Sequence, residues 1–316
     1  FLADLDTSKA RIRPLQLCYS EGGDSAKIIA RPDSDFLQHP GETNWTISEN
    51  SRPVFSENGD KLYFGIAPAP ILNDTTLLKE EIVDVEVWNW KDTRLYTQQE
   101  VQLDGLRKRA FPVVWHCRKN RFVPLADPDV PEVRFQEQRN ADLALAFTEE
   151  PYGKYITNEG AAHKNLYAVD LKSGDKSMIV KDLRCNPRLS PEAKYILWWS
   201  DPDTAWFAWN ARRSDIARLT SARTGIFYNE ENDVPDFPNE YGLAGWLDDD
   251  AAIIFYDRFD LWKIDPDGKK NPERLTRGRE GQTVYRYLKL DPEARSIASG
   301  STILLHQFHE PTKAEG

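Results

Sequence analysis

Two neighbouring stretches of this chain share one layout, and that repetition constrains the fold more than any other feature. One runs from Pro187 to Thr220: Pro187-Arg-Leu-Ser-Pro-Glu-Ala-Lys-Tyr-Ile-Leu-Trp-Trp-Ser, an aromatic segment around Trp206, then Arg218-Leu219-Thr220. The other runs from Gly245 to Thr276: Trp246-Leu-Asp-Asp-Asp-Ala-Ala-Ile-Ile-Phe-Tyr-Asp, then Asp260-Leu-Trp262-Lys-Ile, then Arg274-Leu275-Thr276. In each, a Trp precedes Arg-Leu-Thr by twelve residues (Trp206 to Arg218, Trp262 to Arg274). Weaker copies open at Pro53 and Leu290, and Asn165–Lys176 and Glu86–Arg94 read as strand–turn–strand halves. Val169 and Trp88 hold matching places there, 81 residues apart. That separation is close to two pitches of roughly 40 residues, the repeat of a propeller blade.

The local signals agree. Short runs rich in Ile, Val, Tyr, Phe and Trp are broken by Asn58-Gly59, Ser173-Gly174-Asp175 and Asp265-Pro-Asp-Gly268, which are turn formers. Ala251 to Tyr256 is apolar without alternation, as in a strand covered on both faces. Helical periodicity is scarce, and Glu132–Ala146 carries the best of it. The expectation is an all-β protein, a β-propeller with about five to six blades or partial blades from a ring of seven or eight. Blades are expected near 51–103, 104–141, 142–184, 185–223 and 241–278, with partial modules at 11–50 and 284–316. The ten Trp, set against one Met, then serve chiefly to pack blade on blade.

Charge and length exclude several classes. The 316 residues carry a net charge of −10 with no long basic run, which argues against nucleic-acid binding. No apolar stretch approaches the roughly 18 residues of a membrane span. The chain starts Phe1-Leu-Ala-Asp, without Met or a signal peptide, and closes on the polar Pro311–Gly316; it reads as a piece of a longer protein.

Several stretches resemble the propeller region of large bacterial prolyl oligopeptidase-family serine peptidases. They are Trp45-Thr-Ile-Ser-Glu-Asn-Ser-Arg-Pro-Val-Phe-Ser-Glu-Asn-Gly, Asp84-Val-Glu-Val-Trp-Asn-Trp-Lys-Asp and Phe122-Val-Pro-Leu-Ala-Asp. The Leu-Trp…Arg-Leu-Thr unit is shared with TolB-like propellers generally. The resemblance implies a C-terminal α/β-hydrolase domain in the parent chain, a peptide substrate, and a periplasmic or secreted bacterial setting. With no Walker or dinucleotide glycine pattern in the chain, no cofactor is expected, and charge and hydropathy leave no nucleic-acid partner and no membrane span.

The catalytic signature of that family is absent. A Gly-x-Ser-x-Gly elbow exposes the nucleophile on a sharp strand–helix turn. The nearest sequence, Gly23-Asp24-Ser25-Ala26-Lys27, ends in Lys and precedes no βα pattern. No catalytic residue is assigned. Some relatives with dipeptidyl activity hold the substrate amino terminus with a Glu pair, and two carboxylates suit an ammonium group. Two pairs occur here, Glu149-Glu150 and Glu230-Glu231, and neither flank matches that motif. Glu149-Glu150, before Pro151-Tyr152-Gly153, reads as a turn. Glu230 and Glu231, with Tyr228, lie in the long segment 223–240 between two well-marked modules and are the substrate-contact candidates; loops of that length often carry function.

Other motifs point elsewhere. Cys18, Cys117 and Cys185 lack metal spacing. His306 and His309 fall in a strand-like run, where residues three apart face opposite sides. Asp265-Pro-Asp267-Gly268 begins like a calcium loop, but Thr276 stands where the twelfth-position Glu belongs. No metal site is expected. Arg107-Lys108-Arg109 reads as a solvated turn. Asn44-Trp-Thr and Asn73-Asp-Thr fit the glycosylation pattern, which the bacterial resemblance makes irrelevant. Three functions remain open: the propeller part of a serine peptidase, gating or orienting peptides; a TolB-like protein-binding platform; and a glycan-processing propeller enzyme, for which no paired carboxylates stand at a recognisable spacing. Fold alone does not choose among them.

Overall fold

The structure is a computed structural model, and it describes all residues except 9, 10, 24, 33, 38–44, 71, 73–75 and 82–84. The described residues form a succession of antiparallel sheets, each built from consecutive stretches of chain. The first joins β1 (Leu2–Ala3), β2 (Gln16–Tyr19) and β3 (Lys27–Ala30). The second joins β4 (Trp45–Ile47) and β5 (Val54–Phe55), both on β6 (Lys61–Pro68), then β7 (Phe111–His116) and β8 (Arg121–Pro124). Three four-stranded meanders follow. They are β9 (Glu132–Arg134), β10 (Leu143–Thr148), β11 (Lys164–Asp170), β12 (Lys176–Leu183); β13 (Arg188–Leu189), β14 (Tyr195–Ser200), β15 (Ala205–Asn210), β16 (Asp215–Arg218); and β17 (Leu243–Trp246), β18 (Ile253–Tyr256), β19 (Leu261–Ile264), β20 (Glu273–Arg274). The last sheet joins β21 (Thr283–Tyr287), β22 (Leu305–His309) and β23 (Ala314–Glu315).

Each sheet packs face to face on the next in chain order. Tyr63, Val114 and Val123 meet Ala144, Ala146 and Val169. Leu145, Leu166 and Ala168 meet Ile196, Trp198 and Trp209. Leu197, Trp199 and Trp206 meet Ile253, Phe255 and Ile264. The alternation along β14 explains how one strand serves two neighbours. Ile196 and Trp198 point to the sheet before, Leu197 and Trp199 to the sheet after, so the run is apolar throughout. The first strands converge. A cavity of about 260 Å³ is lined by Phe135, Ser190 and Trp246, which belong to or flank β9, β13 and β17. At its end Arg295 pairs with Glu57 at 3.1 Å and Glu137 at 3.5 Å, residues of two distant sheets. Sheets stacked in order around converging inner strands make a β-propeller.

The repeat has a hydrogen-bond basis. The hydroxyl of Thr220 accepts from Trp206 N at 2.9 Å, and that of Thr276 from Leu261 N at 3.1 Å. Leu219 N donates to Trp206 O, and Leu275 N to Leu261 O, both at 2.8 Å. Arg-Leu-Thr thus closes each sheet, running back along its third strand. The twelve-residue Trp spacing is nevertheless offset by one in space. Arg218 pairs with Phe207 and Arg274 with Trp262, so Trp206 corresponds to Leu261. The hairpin between β19 and β20 is simply the longer one.

The structure departs from the sequence expectation in the first half. Stretches 51–103 and 104–141 do not form separate sheets, because β6 pairs with β7 from Lys61↔His116 to Ile66↔Phe111. The chain between β6 and β7 is one long connection of about one repeat length, and its described residues add no strand to the sheet. Residues 85–89 form no strand, so the match of Trp88 to Val169 fails: Val169 is fully buried, whereas Trp88 is 66% exposed. Glu132–Ala146 is no helix; it supplies β9 and the start of β10, and the third sheet begins at Glu132. The longest described helix is instead α1 (Tyr96–Arg107), with no buried residue. A second short helix, α2 (Tyr155–Glu159), follows β10.

Candidate functional site

In a meander, connections alternate between the two ends of the strands. The connections after the second strand, and those leading to the next sheet, therefore share one face. They include 69–110 with α1, 149–163 with α2, 201–204, 219–242, 257–260 and 275–282. The opposite face carries shorter turns. At one of them Gly174 adopts φ 86°, and a Cβ there would stand 2.7 Å from Pro124 O. At another, Asp267 crosses to the preceding sheet, accepting from both Arg213 Nη atoms at 2.7 and 2.8 Å, from Tyr195 Oη at 3.0 Å and from Asn210 at 2.9 Å. These donors, Arg213 first, hold its carboxyl well below the usual range. Burial, with Asp267 behind it, pushes Tyr195 up to about 12. The calcium-like Asp265–Gly268 is thus a hairpin tie.

The long segment 219–242 folds back on itself through a Tyr228↔Glu240 bridge and an Asn229 N to Asn239 O bond of 2.7 Å. Phe227 is buried against Phe255 and Trp262. Tyr228 packs partly buried on the same core. Glu230 accepts from Arg279 at 2.6 and 3.1 Å, and its backbone N–H donates to Tyr241 Oη at 2.9 Å. Glu231 meets Arg258 at 2.7 Å, and Arg258 also reaches Glu310 at 3.0 Å. The two glutamates are therefore neutralised by different arginines, and Tyr228 helps to anchor the loop.

The neighbouring connections border two open clefts that meet at His163. One, of about 420 Å³, lies between α1 and the 149–163 loop. The other, of about 490 Å³, lies between that loop and residues 180–184, 198–203 and 237. His163 is buried, with Nδ1 on Asp182 and Nε2 3.1 Å from Glu159. Tyr155 and Tyr152 flank its ring, 4.7 and 6.0 Å between centroids. In the second cleft Arg184 donates to both Asp236 oxygens at 3.0 and 3.1 Å, while its buried Nε has no hydrogen-bond partner among the described residues. That Nε stands 3.7 Å from Asp201, whose carboxyl is pushed up by burial. Trp198 and Phe207 form a stacked pair on its wall.

The α1 segment is strapped to the 149–154 loop. Arg94 pairs with Glu150, Lys154 Nζ donates to Trp90 O at 3.1 Å, and Gly153 lies where a Cβ would meet Thr93 O at 2.5 Å. Glu149 pairs with buried Lys164 at 3.1 Å. The Glu149-Glu150 pair is thus a structural junction at a turn. Arg94, His163, Asp182 and Arg184 share no sequence motif and escape sequence reading, and Arg109 is read there only as part of a solvated turn.

Of the other candidates, Ser25 is exposed in the turn between β2 and β3, with Asp24 outside the described residues. Asn44, and the whole of Asn73-Asp-Thr, also lie outside them. His306 and His309 occupy β22, and among the described residues no cluster of three His, Cys, Asp or Glu could hold a metal. The three cysteines are unpaired. Burial pushes the Cys185 thiol up to about 12. Arg107 and Lys108 end α1, and Arg109 turns into the first cavity. No described helix is long and apolar enough to cross a membrane.

No protein-family description matches the chain, and no curated protein matches it. Solved structures similar to it include TolB and propeller domains of prolyl oligopeptidase-family peptidases. Porphyromonas gingivalis dipeptidyl peptidase 4 is 11% identical, with 92% of this chain and 40% of that one covered, at a TM-score of 0.40. The propeller domain of the Trilobed protease from Pyrococcus furiosus is 12% identical, with 84% and 70% covered, at 0.34. TolB from Acinetobacter baumannii is 14% identical, with 65% and 53% covered, at 0.26. The chain thus spans about half of that TolB and less than half of the dipeptidyl peptidase. At such scores these likenesses add nothing to the sheet order and packing described above.

Proposed function

We propose that this chain is the non-catalytic propeller part of a periplasmic or secreted bacterial serine peptidase. It would orient peptides for an α/β-hydrolase domain of the same parent protein, where a Ser-His-Asp site performs acyl transfer. One observation carries the reading. The Asp84–Asp92 stretch that resembles the peptidase family is, over its described residues, an exposed apolar surface and not a blade strand. Val87, Trp88 and Trp90 stand outward there, Trp90 at 83% exposure, and the Trp88 ring lies 5.2 Å from that of Tyr96 on α1. An apolar patch of this kind on the loop-bearing face marks a surface for another domain. The cavities around His163 open beside it.

The test compares this chain with the product of its whole reading frame on peptidyl-amide substrates and a fluorophosphonate label. The whole product is expected to turn over and take the label, and the isolated chain to do neither. Turnover by the isolated chain that is lost on Ser25→Ala contradicts the proposal. So does a whole product that neither turns over nor takes the label.

A further inference from the structure

The charges around the cleft between α1 and the 149–163 loop are held with unequal firmness. On its wall Arg94 is matched by Glu150 and donates to Gln102 Oε1 at 3.1 Å. Glu149 is matched by Lys164, and His163 lies between Asp182 and Glu159. Arg109 is the most loosely matched of these charges. Its nearest carboxylate, Glu132, stands 3.8 Å away, and among the described residues its guanidinium makes no hydrogen bond. It is only 28% exposed. A guanidinium held this way offers a two-pronged donor that matches a carboxylate.

The helix supplies the rest of the wall. Gln98, Val101, Gln102, Gly105, Leu106 and Arg109 recur every three or four residues, so one face of α1 and its C-terminal extension lines the cavity. Gln98 and Gln102 turn their oxygens to Leu95 N and Arg94, and their amide N–H groups have no partner among the described residues. Opposite stand Ile156 and Ala162, which are apolar. Gly105 is the telling residue. Glycine in a helix interior costs about 1 kcal/mol relative to alanine. Yet a Cβ at Gly105 would meet nothing within 4 Å, so packing does not require the glycine. The wall of the cleft is open at this position.

We propose that this cavity is a binding site for the carboxylate of an acidic residue, or of a chain terminus, in a peptide with an apolar neighbour. Arg109 grips the carboxylate, Gln98 and Gln102 donate beside it, and Leu106 and Ile156 receive the apolar side chain. The inference rests on the proposed peptide-handling role and names the class of peptide handled.

The probe is N-acetyl-leucyl-glutamate, compared with N-acetyl-leucyl-glutamine amide, titrated calorimetrically into this chain. The acid is expected to bind about tenfold more tightly than the amide, the usual worth of a charge-assisted pair. Arg109→Gln should erase that preference, and Glu132→Gln, which removes the competing carboxylate, should tighten the acid. Gly105→Ala should raise the thermal midpoint yet weaken the acid, a split that a purely structural role would not produce. Equal binding of acid and amide, no binding of either, or loss of the preference on Arg212→Gln, an exposed arginine elsewhere, would overturn the site. A terminal and a side-chain carboxylate are separated by amidating each in turn. Failure here leaves the hydrolase reading to its own labelling test.

Discussion

The second sheet's insertion, residues 69–110, and the tract from β13 to β20 use the same residue types for opposite purposes. In the tract, Trp199 and Trp206 are each 1% exposed, meet at 5.6 Å, and seal one sheet against the next. In the insertion, Trp88 and Trp90 stand outward, and α1 buries nothing. Tryptophan in a strand with neighbours on both faces is core; tryptophan in a connection is surface offered to something else. Composition treats the two alike, and only the presence of Arg-Leu-Thr downstream separates them.

The sharpest way to break this contrast is to truncate one Trp from each region. Trp206→Ala should cost about 3–5 kcal/mol, the usual cost of a large ring removed from a core. Trp90→Ala should stay within about 0.5 kcal/mol in this chain. Denaturant melts of both variants decide it, and equal losses would erase the distinction.

The next largest effect concerns the closing device. Asp260 is fully buried and accepts from Gly278 N at 2.5 Å, Thr276 Oγ1 at 2.6 Å and Arg274 Nε at 3.0 Å. Burial opposes its charge, but Thr276, Gly278 and Arg274 outweigh it and hold the carboxyl below its ordinary value. A depressed acid stabilises the fold fully at neutral pH, and that contribution is lost as pH falls from about 4 through the folded value. Asp260→Ala should therefore cost about 3 kcal/mol at pH 7, and less at pH 3. Melts at the two pH values check the sign. An equal loss at both would remove the charge from the account.

The smallest effect belongs to the loop 219–242. Glu230→Gln should cost about 0.5–1 kcal/mol, since its partner Arg279 is partly solvated and keeps Asp257 at 3.6 Å. A loss several times larger would make the loop part of the core and not a cover over it.

The propeller was legible in the sequence because its cause is local and repeated. Apolar runs, turn formers and Arg-Leu-Thr recur wherever a sheet is closed by the same bonds. The insertion was illegible for the converse reason. Its Glu86–Arg94 run has strand-like composition, but no partner strand lies beside it, so pairing never forms. Glu132–Ala146 is the opposite case: β9 pairs with β10 and β10 with β11, and that pairing overrides a faint helical period. The clefts draw Arg94 and Arg109 from one connection, His163 from a second and Arg184 from a third, and only the stacking order brings the three together. Glu230 and Glu231 show the limit in the other direction. Adjacent in sequence, they are bound by two different arginines.

The measurement that bears most directly on the proposed role is the nucleotide sequence that follows the Gly316 codon. The account predicts an open frame continuing into alternating strands and helices with a Gly-x-Ser-x-Gly elbow. A stop codon there, or a continuation without such an elbow, would contradict it.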